Sequence, residues 1–354
     1  MSKRLHLAAL MSCLVVASCG GGSDTAPTSS APAPAPAPPV SPPPAPAYVV
    51  RNLLPSTVDP AAVTSSDTSA DYHVVIPPVA GVTAANRLFV FLPGTSGVPN
   101  QYELILKAGA RHGFHSIGLD YPNPTAVGVL CAASSDPNCF WHVRNEIILG
   151  GTHLSPDLSV TLANSIVTRL TEAVGYLNRT YPGEGWGQYL LAGGALDWSR
   201  VVAGGHSQGG GHAGVMAKLY AMGGACYFSS PPDWNAANHP AAPNAPAAWE
   251  SYPNVTAAAL QFGFGGLQDP SVPYGNLSVI WQTLGLGAFG AAVSVDSNAP
   301  AYGGSHMLTT NAQPNASNAA GQPLHGLTVR DVFTPVDAAG QPVFDPAWAY
   351  LCFG

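Results

Sequence analysis

Apolar residues in this chain fall into two patterns: short unbroken runs, and longer stretches in which they recur every three or four positions. The unbroken runs are 71–76 (DYHVVI), 87–92 (RLFVFL), 114–120 (FHSIGLD), 200–203, 225–228 (ACYF), 257–264 (AAALQFGF) and 291–295 (AAVSV). A run without polar alternation suits a strand covered on both faces, so each predicts a buried strand. Helical spacing predicts helices over 102–112, 160–181, 212–222, 277–284 and 345–351. In the second of these, Ile166, Leu170, Val174 and Leu177 share one face. Strands alternating with helices predict an α/β domain whose mostly parallel sheet carries helices on both sides. The run 291–295 reads as the last core strand. Two stretches, 123–156 and 230–253, break the rhythm; both follow strand ends and are candidate lid insertions over a site.

The N-terminal segment follows a different rule. Lys3 and Arg4 precede an apolar run from Leu7 to Ala17, the layout of a secretory signal peptide over 1–18 and too short to span a membrane. Its end, Val16-Ala17-Ser18-Cys19, resembles the lipobox of bacterial lipoproteins, which implies lipidation of Cys19; an ordinary cleavage site with an incidental cysteine is the other reading. Residues 19–47 are rich in Pro and Ala and cannot form a core. The polyproline-like stretch 25–47 reaches roughly 70 Å at ~3.1 Å per residue. The folded domain is therefore expected over 48–354, held at the bacterial cell envelope on the periplasmic or outer-membrane face.

Composition narrows the partners. Hydrophobic residues make up 46% and charged ones only 9%, enough apolar material for a large core. The formal charge is −7 and no basic cluster occurs, which excludes nucleic acid as an expected partner. Cys131 and Cys139, eight positions apart, predict a local disulfide in an oxidising compartment. Cys226 and Cys352 either pair or remain buried thiols. No Cys/His spacing matches a zinc site, so no metal and no organic cofactor are expected.

Candidate chemistry centres on Val201–Gly214 (VVAGGHSQGGGHAG). An apolar strand, a Gly205-His206-Ser207-Gln208-Gly209 turn and a following helix fit the nucleophile elbow, in which a strained turn lifts the serine out of the fold. A serine hydroxyl reacts only if a base removes its proton. With FLPGT at 91–95, GLDYPN at 118–123 and EGWGQYL at 184–190, this unit resembles the α/β-hydrolase superfamily, and within it a group of secreted bacterial lipoprotein hydrolases.

The resemblance implies an α/β-hydrolase fold and a triad in the order serine, acid, histidine. Asp269, in the loop after a late strand, is the favoured acid and Asp233 its rival. His306 is the favoured base, because it follows the last expected strand; His325 is the alternative. His206 and His212 flank the serine and are expected only to pack or to bond nearby backbone. The oxyanion hole would use the N–H of Gln208 and that of Thr95. Tyr121, Trp141 and Trp234 either line an acyl pocket or pack in the core.

These residues lead to the expectation of a serine hydrolase for carboxylic esters: lipids, short acyl esters or a polyester. The apparent lack of a cationic pocket favours neutral substrates. A serine peptidase or amidase of the same fold is one alternative. A non-catalytic surface-binding lipoprotein is another, from which a complete triad would distinguish an enzyme.

Overall fold

The computed structural model describes residues 47–63, 72–132, 134–237, 239, 243–316 and 322–354. The expected signal peptide, Cys19 and the expected linker up to residue 46 lie outside the described residues. Among the described residues the first elements are strand β1 (Arg51–Leu53), the short helix α1 (Pro55–Val58), β2 (His73–Ile76) and β3 (Leu88–Leu92). Then follow α2 (Glu103–Arg111), β4 (His115–Gly118), α3 (Val127–Cys131), α4 (Cys139–Leu149) and α5 (Ile166–Thr180). The central unit is β5 (Val201–His206), α6 (Gln208–Leu219) and β6 (Gly224–Phe228). The last third holds β7 (Gln261–Gly266), α7 (Tyr274–Thr283), β8 (Val293–Ser294), β9 (Met307–Thr310), α8 (Pro323–Gly326) and α9 (Asp345–Trp348).

The nine strands of the described residues form one mixed sheet in the order β1-β2-β4-β3-β5-β6-β7-β9-β8. β1 and β2 run antiparallel to their neighbours; every other pairing, from β4 across to β8, is parallel. Side chains of β3 alternate between two cores. Leu88, Val90 and Leu92 pack with α4, α5, α6 and α7 on one face. Phe89 and Phe91 pack with α2, α9 and the C-terminal Leu351 and Phe353 on the other. All five are fully buried, which is why this run shows no polar alternation. Each contributes about 1.5–3 kcal/mol by leaving water, more than the ~1 kcal/mol that each glycine of α6 costs as a helix residue. In α6 the burial of Val215 and Met216 in the same core offsets that glycine cost.

One expected strand differs, and one strand was not expected. The run 291–295 yields only the two-residue β8, at the edge of the sheet. The last core strand is β9, 13 to 16 positions beyond Ser294, where polar Thr309 and Thr310 hid it. β9 pairs with β7 on one side and β8 on the other.

Cys131–Cys139 forms the expected disulfide, joining the end of α3 to the start of α4. Cys226 and Cys352 are also bonded, tying β6 to the turn that follows α9. Two disulfides point to an oxidising, extracellular compartment. Among the described residues no helix is long and apolar enough to cross a membrane.

Candidate active site

Because the strands from β4 to β9 are parallel, their C-terminal ends share one edge of the sheet, and the loops leaving that edge build the site. β5 ends at His206 and α6 starts at Gln208, so the turn between them is Ser207 alone. Ser207 has φ 52° and ψ −117°, a strained backbone for a residue with a Cβ. Two contacts force the tightness: a Cβ on Gly205 would lie 2.3 Å from the Gly209 carbonyl carbon, and one on Gly209 2.0 Å from the Leu92 carbonyl oxygen. The turn is held by the Ser207 N–H donating to the Phe228 carbonyl at 2.9 Å. The Ser207 carbonyl accepts from Ser230 Oγ at 2.7 Å.

Asp269 follows β7 and is buried. One carboxylate oxygen accepts the N–H groups of Ser271 (2.8 Å) and Val272 (3.1 Å). The other lies 2.7 Å from His325 Nδ1. A carboxylate can only accept, so Nδ1 carries the proton and Nε2 is left with its lone pair. His325 sits on α8, beyond the C-terminal end of β9.

The pairing of Asp269 with His306 expected from the sequence does not occur. His306 immediately precedes β9, at the opposite end of the parallel strands from Ser207. Its Nδ1 lies 2.9 Å from the Gln261 carbonyl at the start of β7. Its ring is stacked between Phe262 and Phe289, with centroids 4.0 and 3.8 Å away. The misplacement follows from taking β8 for the last core strand, which put His306 after the sheet when it stands before it.

The rival acid is also engaged elsewhere. Asp233 is buried and takes a two-pronged ion pair from Arg144, Nε lying at 2.6 Å, together with the Trp249 indole N–H at 2.8 Å. Arg144 Nη1 donates to the Gln208 carbonyl at 2.9 Å and to His212 Nδ1 at 3.2 Å. Burial, and secondarily the Arg144 charge, hold His212 well below the usual histidine range, so it is a neutral acceptor. This ion pair fastens the first turn of α6 from below. Breaking it from one side is expected to be costly: Asp233→Asn should lose about 3–5 kcal/mol of stability by urea denaturation. Arg144→Met with Asp233→Leu should lose less, since no buried charge remains. A double variant less stable than the single one would refute that account.

The loop after β3 supplies the second wall. Tyr121 donates to the Pro93 carbonyl at 2.6 Å, and Asn123 Nδ2 donates to the carbonyls of Gly94 and Gly97, each at 2.9 Å. With those carbonyls held, the Thr95 N–H meets no acceptor among the described residues. Thr95 Oγ1 donates to Gln208 Oε1 at 2.8 Å, joining this loop to α6. The Gln208 N–H belongs to the first turn of α6, where backbone donors have no partner within the helix.

Ser207, His325, Thr95 and Gln208 border one half-open cleft of about 630 Å³. Its apolar wall comes from Val127 and Val129 of α3, Val272 and Pro232. Both irregular stretches therefore contribute to the cleft, through α3 and Pro232. The aromatics do not. Tyr121 is buried beneath the loop, Trp141 packs edge-on against Tyr252, and Trp234 donates to Asn244. The cleft also carries cations that composition did not suggest: Arg144, neutralised by Asp233, and Arg330. Among the described residues no cluster of three or more His, Cys, Asp or Glu could hold a metal ion.

No protein-family model and no curated protein matches the chain. Arg144, Asn123 and Tyr102 belong to the surroundings of the site and were not singled out from the sequence. Arg144 had a signal, being a cation at helical spacing from the apolar Phe140, Ile147 and Ile148. Asn123 closes the GLDYPN motif but had no role assigned to it, and Tyr102 had no signal.

Proposed function

We propose that the protein is a serine hydrolase of the α/β-hydrolase fold that cleaves carboxylic esters. One observation carries the reading: a serine on a strained strand-to-helix turn and a histidine bonded to a buried aspartate border the same cleft. The strand order and the loops at the C-terminal edge support the fold assignment.

In this mechanism Ser207 Oγ attacks the ester carbonyl carbon as its proton passes to His325 Nε2. The carbonyl electron pair moves onto oxygen, where the Gln208 and Thr95 N–H groups receive it. Asp269 holds the His325 tautomer and stabilises the imidazolium. The C–O bond to the alcohol breaks as His325 returns the proton to it, leaving an acyl-Ser207. Water, deprotonated by His325, then attacks the acyl carbon and releases the acid. Each oxyanion donor contributes roughly 3 kcal/mol to the transition state. The apolar wall around Val129 suits an acyl or alcohol chain.

The test is a fluorophosphonate probe on the purified 48–354 domain, followed by peptide mapping. Modification at Ser207 is expected; no modification, or modification only elsewhere, rejects the hydrolase. Within the same proposal the chain is exported and tethered through a lipidated Cys19, supported by the lipobox-like segment and by the two disulfides. Radioactive palmitate should label the full chain but not Cys19→Ala, and equal labelling of both would remove the anchor.

A further inference from the structure

His206, the residue before the proposed nucleophile, is buried in contact with three parts of the site at once. Its Nδ1 lies 3.0 Å from the Tyr102 hydroxyl. Its Nε2 lies 3.0 Å from the backbone carbonyl of His325. The two imidazole rings are 4.6 Å apart. The Tyr102 hydroxyl in turn accepts the Gly94 N–H at 3.3 Å.

The proton positions follow from this chain. Gly94 donates to the tyrosine oxygen, so the single phenolic proton is free to go to His206 Nδ1. Burial pushes Tyr102 up to about 12 and His206 well below the usual range, so both stay neutral. With Nδ1 accepting, the His206 proton sits on Nε2 and donates to the His325 carbonyl. That carbonyl lies at the end of the four-residue α8, where helix carbonyls lack partners within the helix. No room is spare on the Gly94 side either: a Cβ there would lie 2.9 Å from His206 Nδ1.

We infer that His206 and Tyr102 are positioning residues, a hydrogen-bonded bracket that sets the main chain of His325 and the loop of Gly94 and Thr95 against the Ser207 turn. His206 lines the cleft, but its ring nitrogens bond to Tyr102 and to the His325 carbonyl and not to Ser207 or to the His325 ring. It acts through the backbone of the base on one side and, through Tyr102, through the oxyanion loop on the other. α8 is one turn long, which is short for holding a side chain to sub-ångström tolerance. A bond from the rigid end of β5 supplies that tolerance, and misplacement of a catalytic group by about 1 Å can cost 10²-fold.

The inference rests on the serine-hydrolase reading, and its test separates the two. His206→Phe keeps the ring volume and removes both bonds; His206→Gln restores a donor near the Nε2 position. On a p-nitrophenyl ester, His206→Phe should lower kcat by roughly 10- to 100-fold with KM nearly unchanged. His206→Gln should recover most of that loss. Tyr102→Phe should lower kcat in the same way, and Tyr102→Phe with His206→Phe should be little worse than either alone, since both break one bracket. The far-downfield NMR proton of His325 Nδ1 should shift or broaden in His206→Phe. Wild-type kcat and an unmoved proton in folded His206→Phe would overturn the inference, as would a Gln variant no better than Phe. If wild type shows no turnover and no probe labelling, the hydrolase reading fails. The NMR comparison then still decides whether the bracket positions His325.

Discussion

His325→Ala is expected to lower kcat for a p-nitrophenyl ester by on the order of 10⁴- to 10⁶-fold, while His306→Phe leaves turnover at the wild-type level. The two histidines lie at opposite ends of the parallel strands. His325 has its Nδ1 on the Asp269 carboxylate, and its ring borders the cleft with Ser207. His306 is committed to the Gln261 carbonyl and to an aromatic sandwich. Removing His325 leaves the serine proton with no acceptor and the leaving alkoxide with no donor, so both chemical steps lose their acid–base partner. Phenylalanine at 306 preserves the stack and loses one hydrogen bond, which should appear as a lower melting temperature and nowhere in kcat. Steady-state kinetics on both variants decides the matter: an active His325→Ala protein, or an inactive but folded His306→Phe protein, would refute the assignment.

Ser207→Ala is expected to be as damaging, on the order of 10⁶-fold in kcat, and no further loss should follow when His325→Ala is added. The reason is that neither group acts without the other. A base with no hydroxyl to deprotonate, or a hydroxyl with no base, leaves only the oxyanion donors and binding. The same substitution should not destabilise the fold. Alanine retains the Cβ that makes φ 52° unfavourable, and Ser207 Oγ has no hydrogen-bond partner among the described residues. A measured loss of turnover with an unchanged melting curve would therefore place the effect in chemistry. Additive losses in the double variant would show that the two residues do not work as a unit.

Much of the fold was legible because burial writes itself into sequence. The run LFVFL can be stable only as a covered strand, and it is the centre of the sheet. The i, i+4 spacing from Ile166 to Leu177 became α5. Strands with a polar face or short length were not legible. β9 carries two threonines, β1 has three residues, and both are strands because of the neighbour they pair with. The cost of missing β9 was specific, since it reversed which histidine stood at the catalytic edge.

By itself the sequence determined the class of fold, the strand–Ser207–helix turn, the place of Asp269 in the loop after β7 and the Cys131–Cys139 disulfide. Each rests on local information: contiguous burial, glycines flanking a serine, or cysteines close enough along the chain to meet. Tertiary structure alone decided that His325 and not His306 meets Asp269, that Arg144 occupies Asp233, that Cys226 reaches Cys352 across 126 positions, and that His206 bonds the carbonyl of His325. Those partners are separated by 56 to 126 residues, and nothing in a residue's own neighbourhood specifies its distance to another. Only the order and direction of strands in the sheet bring such groups to a common edge.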